Sequence, residues 1–225
     1  MGANFNFLVN GAKNTLLERF QWDSNYKKLF SLAIVSAFLL SGCGGGSSSS
    51  SSNDGTQTGV FLDSPVINVG YRTETLEGVT NALGEYQYIS GETVIFFIGD
   101  LKFPPVLAKG IVTPLDIADT EDTANSKVVN IIRLLQTLDQ DGDPDNGITI
   151  TETAIAQATE VDFTLSESAF AASAAVRELI VDAGQDDVPS ELVSTDKAIA
   201  HFQEQLQNNG LSVSSFVGTW RATNG

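Results

Sequence analysis

A short stretch of the chain places acidic side chains at alternate positions on a turn-forming segment. Asp139, Asp141, Asp143 and Asp145 lie close together, and Glu152 follows them. Ca²⁺ takes about six to eight oxygen ligands, and alternate aspartates on a tight loop bring carboxylates to one point. Without a cation, like charges this close would repel one another strongly. We therefore predict that these five carboxylates bind Ca²⁺ in a structural role.

The spacing of the acids resembles the calcium loop of EF-hand proteins, D-x-[DN]-x-[DN]-G-x₅-E. Counted from Asp141, the loop has an acid at every acidic position and Glu152 at its last place. In that register Asn146 replaces a glycine, and Asn is the non-glycine residue that best tolerates a positive φ. The apolar spacing of the preceding helix favours Asp139 as the first ligand instead. The register therefore stays open.

Two interpretations of this segment require no metal. Several acids within a few residues are also typical of a solvent-exposed turn. The four residues from Thr149 to Glu152 have the form of a capping box for a short helix through 154–158.

Cys43, the only cysteine, ends a segment with the layout of a secretory signal. Lys27 and Lys28 precede an apolar run at residues 29–40, which is too short for a membrane span of about 20 residues. A thiol is the best nucleophile in the chain for thioether formation. Small residues before it allow an extended backbone to enter a peptidase.

The residues Leu40-Ser41-Gly42-Cys43 resemble the lipobox of bacterial lipoproteins. This resemblance implies cleavage between Gly42 and Cys43, diacylglycerol on the Cys43 sulfur, and an acyl chain such as palmitate on the new amino group. Two or more chains give a stable membrane anchor. Gly44 occupies the place where lipoproteins retained in the inner membrane typically have Asp, so the resemblance implies an outer-membrane location.

Charge excludes some functions. The chain has a net charge of −16, and removal of residues 1–42 leaves 8 basic and 26 acidic residues, a net charge of −18. Such a surface repels nucleic acid and anionic headgroups, so a nucleic-acid partner is not expected. The one histidine, His201, lies at helical spacing and is expected on a helix surface or in packing. We therefore expect no enzyme activity.

Short strand-like runs separated by turn signals, followed by segments of helical periodicity, predict an α+β chain in which a small antiparallel β-sandwich precedes a helical segment. Helices are predicted over Ser126–Leu138, over Ser166–Val181 after a capping box that begins at Thr164, and over Thr195–Gln207. Alternation along one strand predicts that Tyr86 and Tyr88 share a buried face. The predicted segments are a leader and signal peptide (1–42), a lipidated Gly/Ser linker (43–58), a β-module (59–112), a helical segment (113–210) containing the acidic loop 139–152, and the start of a further strand or barrel domain (211–225).

Three sequence words, Gly59 to Val66, Gly84 to Tyr86 and Gly91 to Phe96, resemble the Ig-like or carboxypeptidase-regulatory-like β-domains of bacterial surface proteins. Such domains act as spacers and adhesive units. The resemblance implies an envelope lipoprotein with a role in adhesion, display or spacing, and a protein or envelope partner whose identity stays open.

An alternative function depends on the C-terminal residues. Ser215 to Trp220 resemble the opening strand of lipocalin-like barrels. On that reading, the chain is the stalk of a longer lipoprotein whose barrel binds an apolar small molecule. A short tail strand packed on the helices is the other interpretation, and an accessory region of a hydrolase is a third function.

Overall fold

The computed structural model describes residues 55–211, which form an α+β domain. Antiparallel sheets come first and helices follow, so the predicted fold class is confirmed. Except for one short strand at Ile148–Thr149, the described strands end at Val112 and the helices begin at Pro114. The predictions for Gly42, Cys43 and the barrel-like residues 215–220 lie outside the described residues.

The strands within residues 55–211 form three sheets. β1, β5 and β9 make one sheet, with β1 antiparallel to β5 and parallel to β9. A five-stranded sheet has the order β4-β3-β6-β7, with β8 also pairing with β6, and β2 pairs with β10. The bounds are β1 Thr56–Phe61, β2 Val66–Ile67, β3 Gly70–Arg72, β4 Glu77–Val79, β5 Glu85–Ile89, β6 Thr93–Ile98, β7 Leu101–Lys102, β8 Val106–Leu107, β9 Ile111–Val112 and β10 Ile148–Thr149.

Alternation of side chains explains how β5 and β6 pack. Tyr86 and Tyr88 of β5 are buried, 1% and 6% exposed, while Glu85 and Gln87 between them are half-buried. In β6, Val94, Phe96 and Ile98 are fully buried. Successive side chains of a strand point to opposite faces, so each strand presents one apolar face to the core. The predicted burial of Tyr86 and Tyr88 is confirmed.

Six helices follow along the described chain: α1 Pro114–Ala118, α2 Ser126–Thr137, α3 Glu152–Gln157, α4 Glu167–Ala172, α5 Ala174–Val181 and α6 Thr195–Asn208. The predicted helices that correspond to α2 and α6 are confirmed to within a residue at each end. The single helix predicted over Ser166–Val181 is wrong, because the helix breaks at Ser173, whose side chain caps α5. The predicted capping box is also wrong: the cap of α4 is Ser166, and the Thr164 hydroxyl binds Asp162.

One continuous hydrophobic core joins the strands to the helices. Stacked rings cross the boundary, because Phe103 packs on Phe163 at a centroid distance of 5.3 Å and Phe163 packs on Phe170 at 5.6 Å. A smaller apolar cluster between α2 and α6 includes Ile132 and Phe202. Within residues 55–211, every helix is too short or too polar to cross a membrane.

Candidate cation-binding loop

The acidic loop connects two helices and is attached to the β-sheet region. α2 ends at Thr137, Leu138 is its C-cap, and α3 begins at Glu152. Between them, β10 pairs in parallel with β2, where Ile148 lies opposite Val66. The Asp139 backbone also bridges Ile150 in antiparallel fashion. The loop is therefore closed at its base and fixed to the strand region.

Short hydrogen bonds shape the middle of the loop. Asp141 Oδ1 accepts from the Asp143 amide at 3.0 Å, and Asp141 Oδ2 accepts from Asn146 Nδ2 at 2.9 Å. The Asn146 side chain is the main reason that the pKa of Asp141 lies below its usual value. Asp143 Oδ1 accepts from the Asp145 amide at 3.4 Å and begins a 3₁₀ turn over Pro144–Asn146. Hydrogen bonds within the loop therefore form an ordered turn.

The backbone conformation of the loop contradicts one prediction. Asn146 lies in the 3₁₀ turn and does not take a positive φ, so its predicted role as the substitute for an EF-hand glycine is wrong. Positive φ values within the loop occur at Gly142 (72°) and Gly147 (114°). In a register starting at Asp141 these glycines occupy the second and seventh places, and the sixth place, where an EF-hand has its glycine, has no positive φ.

Asp139 differs from the other acids because it is buried, with 2% of its surface exposed. Its Oδ1 accepts from the Thr149 amide at 2.8 Å, and its Oδ2 has no hydrogen-bond partner among the described residues. Burial, with a contribution from the neighbouring Asp141, raises the pKa of Asp139 to about 6. Asp139 also follows the C-terminus of α2, the negative end of the helix dipole, and the last turn of α2 has no basic residue.

Asp145 belongs to a Ser-His-Asp chain that joins the loop to α6. Its Oδ1 lies 3.1 Å from His201 Nδ1, and His201 Nε2 lies 3.2 Å from Ser64 Oγ. The Ser64 hydroxyl donates to the Pro144 carbonyl at 2.5 Å. Ser64 is fully buried and His201 is 9% exposed, and burial is the main reason that the pKa of His201 is lowered. The packing interpretation of His201 holds, but Ser64 was missed, because the two residues are 137 positions apart.

Glu152 points to a different neighbour. Its carboxylate accepts from Asn68 Nδ2 at 3.1 Å, and the same amide donates to the Ile150 carbonyl at 2.8 Å. The capping box predicted from Thr149 is wrong, since Thr151 is the cap of α3 and accepts from the Ala154 amide at 2.9 Å.

The five predicted ligands are thus only partly brought together. Asp139 and Asp141 are neighbours, while Asp145 contacts His201 and Glu152 contacts Asn68. Across residues 55–211, no three His, Cys, Asp or Glu side chains converge as a ready-made metal site. A cation here would rely on few carboxylates and would need further oxygen ligands.

A second buried acid, Asp63, lies near the Ser64 end of this chain. Asp63 is fully buried, and Gln136 Nε2 donates to both of its carboxyl oxygens at 3.2 Å. The same amide also donates to the Ala198 carbonyl at 3.2 Å. Burial raises the pKa of Asp63 to about 8, against a smaller lowering by Gln136. The carboxyl group is therefore protonated at neutral pH. The sequence around Asp63 does not indicate that its carboxyl group is buried or that its pKa is raised.

Similarity to known proteins adds no constraint on these sites. Comparison with protein-family models, with curated proteins and with solved structures finds no match. Function must therefore be inferred from the sequence motifs and from the geometry of the described residues.

Proposed function

We propose that the chain is a lipoprotein of the bacterial outer membrane, anchored through Cys43, whose domain has a non-catalytic role in adhesion, display or spacing. The observation that carries this proposal is the order of three features: the lipobox-like residues 40–43, a Gly/Ser-rich stretch at 44–52, and an ordered α+β domain from Gly55. Two or more acyl chains on Cys43 would give a stable anchor.

The chain between Cys43 and the domain is suited to a spacer. It consists mainly of glycine and serine, a composition typical of linkers between an anchor and a domain. Fully extended, it would reach roughly 40 Å at ~3.4 Å per residue. The net charge of −18 for residues 43–225 would keep the domain away from anionic headgroups. Both properties favour display of the domain at a distance from the membrane.

A structural role for the Ser64–His201–Asp145 chain supports a non-catalytic domain. The connectivity is that of a nucleophilic triad, in which the hydroxyl donates to the histidine. A serine hydroxyl has one hydrogen, and the Pro144 carbonyl at 2.5 Å competes with His201 for it. Ser64 is also fully buried, out of reach of a substrate. The three residues then act as a clamp between α6, the acidic loop and the turn after β1.

Ca²⁺ is proposed as a structural ligand of the acidic loop. The loop joins α2 to β10, and β10 pairs with β2, so an ion there would strengthen the connection between helices and strands. Outside the cytoplasm, a dissociation constant of about 10⁻⁴–10⁻³ M is sufficient for an extracellular Ca²⁺ module.

Membrane fractionation of Cys43→Ala tests the anchor. The substitution removes the sulfur that would carry the diacylglycerol, so the protein should leave the membrane fraction and lose labelling by radioactive palmitate. Ser41→Ala is the matched control, because it keeps the lipobox pattern, and it should remain membrane-bound and labelled. Retention of Cys43→Ala in the membrane fraction would contradict the lipoprotein proposal.

A further inference from the structure

An open groove lies beside α1 and combines apolar walls with charged side chains. Its volume is about 740 Å³, within the range of about 300–1,000 Å³ that is typical of binding clefts. Leu107 on its wall is 59% exposed, and Pro105, two residues earlier, is also exposed. Apolar surface rimmed by polar side chains is typical of a docking site. The lining of this α1 groove includes Pro105, Val106, Leu107, Leu115, Asp119 and Glu121.

The chain continues beyond the described residues from a point close to this groove. The later half of α6 lies beside the segment that precedes α2, because Gln203 Nε2 donates to Thr123 Oγ1 at 2.7 Å. Leu211, after α6, packs against the apolar cluster between α2 and α6. Leu115 packs against the same cluster and also lines the α1 groove. Residues 212–225 therefore follow directly from a residue that shares its packing partners with the wall of the groove.

Residues 212–225 lie outside the described residues, and their composition suits an apolar groove. Their large apolar side chains are Val213, Phe216, Val217 and Trp220. A Phe or Trp side chain buries about 150–250 Å² when it is enclosed, and such residues dominate the energetics of interfaces. Nine residues separate Leu211 from Trp220, enough to extend roughly 30 Å, so the segment can reach the whole groove.

The charges of the groove and of the segment are complementary. Two basic and three acidic side chains line the groove, for a net charge of −1: Lys109, Lys127, Asp116, Asp119 and Glu121. Lys109 Nζ pairs with Asp116 Oδ1 at 2.6 Å, which leaves two acids against Lys127. Arg221 is the only charged side chain in residues 212–225. A positive charge from the segment is therefore favourable at this site.

A smaller groove along α5 fits the segment less well. Its volume is about 400 Å³, and its lining includes Arg177, Glu178, Val181 and Ser190. The basic and the acidic side chain balance each other, so the lining offers no net negative charge to Arg221. None of its lining residues belongs to the cluster on which Leu211 packs.

We propose that residues 213–221 dock in the α1 groove of the same chain. Their apolar side chains cover Leu107, and Arg221 lies near the acids Asp119 and Glu121. Of the two interpretations of residues 215–220, this docking selects packing on the helical region over the opening strand of a barrel. The docking is independent of the lipid anchor and of Ca²⁺, and it closes the groove to other molecules.

Tryptophan fluorescence tests the docking. The chain has two tryptophans, and Trp22→Phe leaves Trp220 as the only one, whether or not residues 1–42 are removed. In this purified, detergent-extracted protein, the Trp220 emission should lie at shorter wavelength than in urea. Acrylamide should quench it less than in urea, because a docked indole is shielded from solvent.

Two variants of this protein should expose Trp220. Leu107→Glu places a charge at an exposed position of the groove, so the fold is retained. Loss of one apolar contact of this size shifts a docking equilibrium by about tenfold or more, so the emission should move to longer wavelength and quenching should increase. Arg221→Glu, which lies outside the described domain, should act in the same direction by repelling the acids of the groove.

Val181→Glu is the matched control, because it places the same charge in the α5 groove at a side chain that is 50% exposed. It should leave emission and quenching unchanged, and circular dichroism of all three variants checks folding. Protection of Trp220 that survives both Leu107→Glu and Arg221→Glu, or that Val181→Glu removes, would place the segment elsewhere and overturn the proposal.

Two further outcomes would also overturn it. Exposure of Trp220 in the Trp22→Phe protein would mean that the groove is not occupied by this segment. Protection that disappears on dilution would mean that the groove binds the segment of a second copy. The membrane anchor is tested separately through Cys43, and its failure would leave the fluorescence result unchanged.

Discussion

Asp63 and Asp139 are both buried, but their carboxyl groups have different hydrogen-bond partners. Both oxygens of Asp63 contact the Gln136 amide, and its raised pKa keeps the group neutral. One oxygen of Asp139 accepts from the Thr149 amide, the other has no hydrogen-bond partner within residues 55–211, and Asp141 is the neighbouring acid. Desolvation penalises the charged form of an acid, so protonation satisfies the first site and a cation would satisfy the second.

Substitution of Asp63 by Asn should alter how stability depends on pH. The folded pKa of about 8 exceeds the ordinary value of 3.8, so the folded state holds a proton that the unfolded chain releases. The stabilisation from Asp63 is complete below pH 3.8 and is lost as the pH rises through 8. Between pH 5 and 7, Asp63→Asn should gain roughly 2–3 kcal/mol in free energy of unfolding relative to the unsubstituted protein. Urea denaturation at both pH values measures this difference.

Asp100→Asn is the control for this measurement, because Asp100 is an exposed aspartate that does not contact Asp63 or Gln136. Its difference from the unsubstituted protein should stay constant between the two pH values. Parallel stability curves for Asp63→Asn and the unsubstituted protein would show that Asp63 has an ordinary pKa in the folded state.

At the scale of elements, the β5–β1 pairing depends on a close approach at Gly59. Gly59 lies opposite Tyr86 in the antiparallel register. A Cβ at Gly59 would lie 2.6 Å from the Tyr86 ring and 2.4 Å from the Lys109 carbonyl oxygen. That same carbonyl accepts the Tyr86 hydroxyl at 2.7 Å, so ring and backbone are both fixed. The pairing therefore has no space for a side chain at this position.

Gly59→Ala should destabilise the domain by about 1–3 kcal/mol, the usual cost of overpacking a well-packed site. Gly110→Ala is a matched control, because a Cβ there meets nothing within 4 Å. Urea denaturation of the two variants gives the comparison. Equal stability of both variants would mean that the sheet relaxes around the extra methyl group.

Local patterns predicted some elements and could not predict others. The apolar spacing of α2 and α6 is a property of each segment alone, so both helices were predictable. The break at Ser173 was not, because a serine within an apolar period fits a helix interior as well as a cap. Among the candidate site residues, the proximity of Asp139 and Asp141 follows from the loop. The contacts of Asp145 and Glu152 with His201 and Asn68 depend on long-range packing, which spacing does not encode.

At the scale of the whole described domain, strands and helices share one core, and Phe163 lies at their junction. Its ring packs on Phe103, which directly follows β7, and on Phe170 in α4, and it is 4% exposed. The β-region and the helical region should therefore unfold together. Tyr71, Tyr86 and Tyr88 all lie in the strand region, so near-ultraviolet circular dichroism of tyrosine reports mainly on strands, and the far-ultraviolet signal reports mainly on helices.

Phe163→Ala removes the ring that links the two regions and should cost about 3–5 kcal/mol, as for other buried Phe→Ala substitutions. Because the core is continuous, the near- and far-ultraviolet melting midpoints should coincide in the unsubstituted protein and should fall by the same amount in the variant. Leu83→Ala is the control, since Leu83 is 63% exposed, and it should leave both midpoints nearly unchanged. A fall confined to the far-ultraviolet midpoint would mean that the helical region unfolds independently of the strands, and the domain would then be two cooperative units.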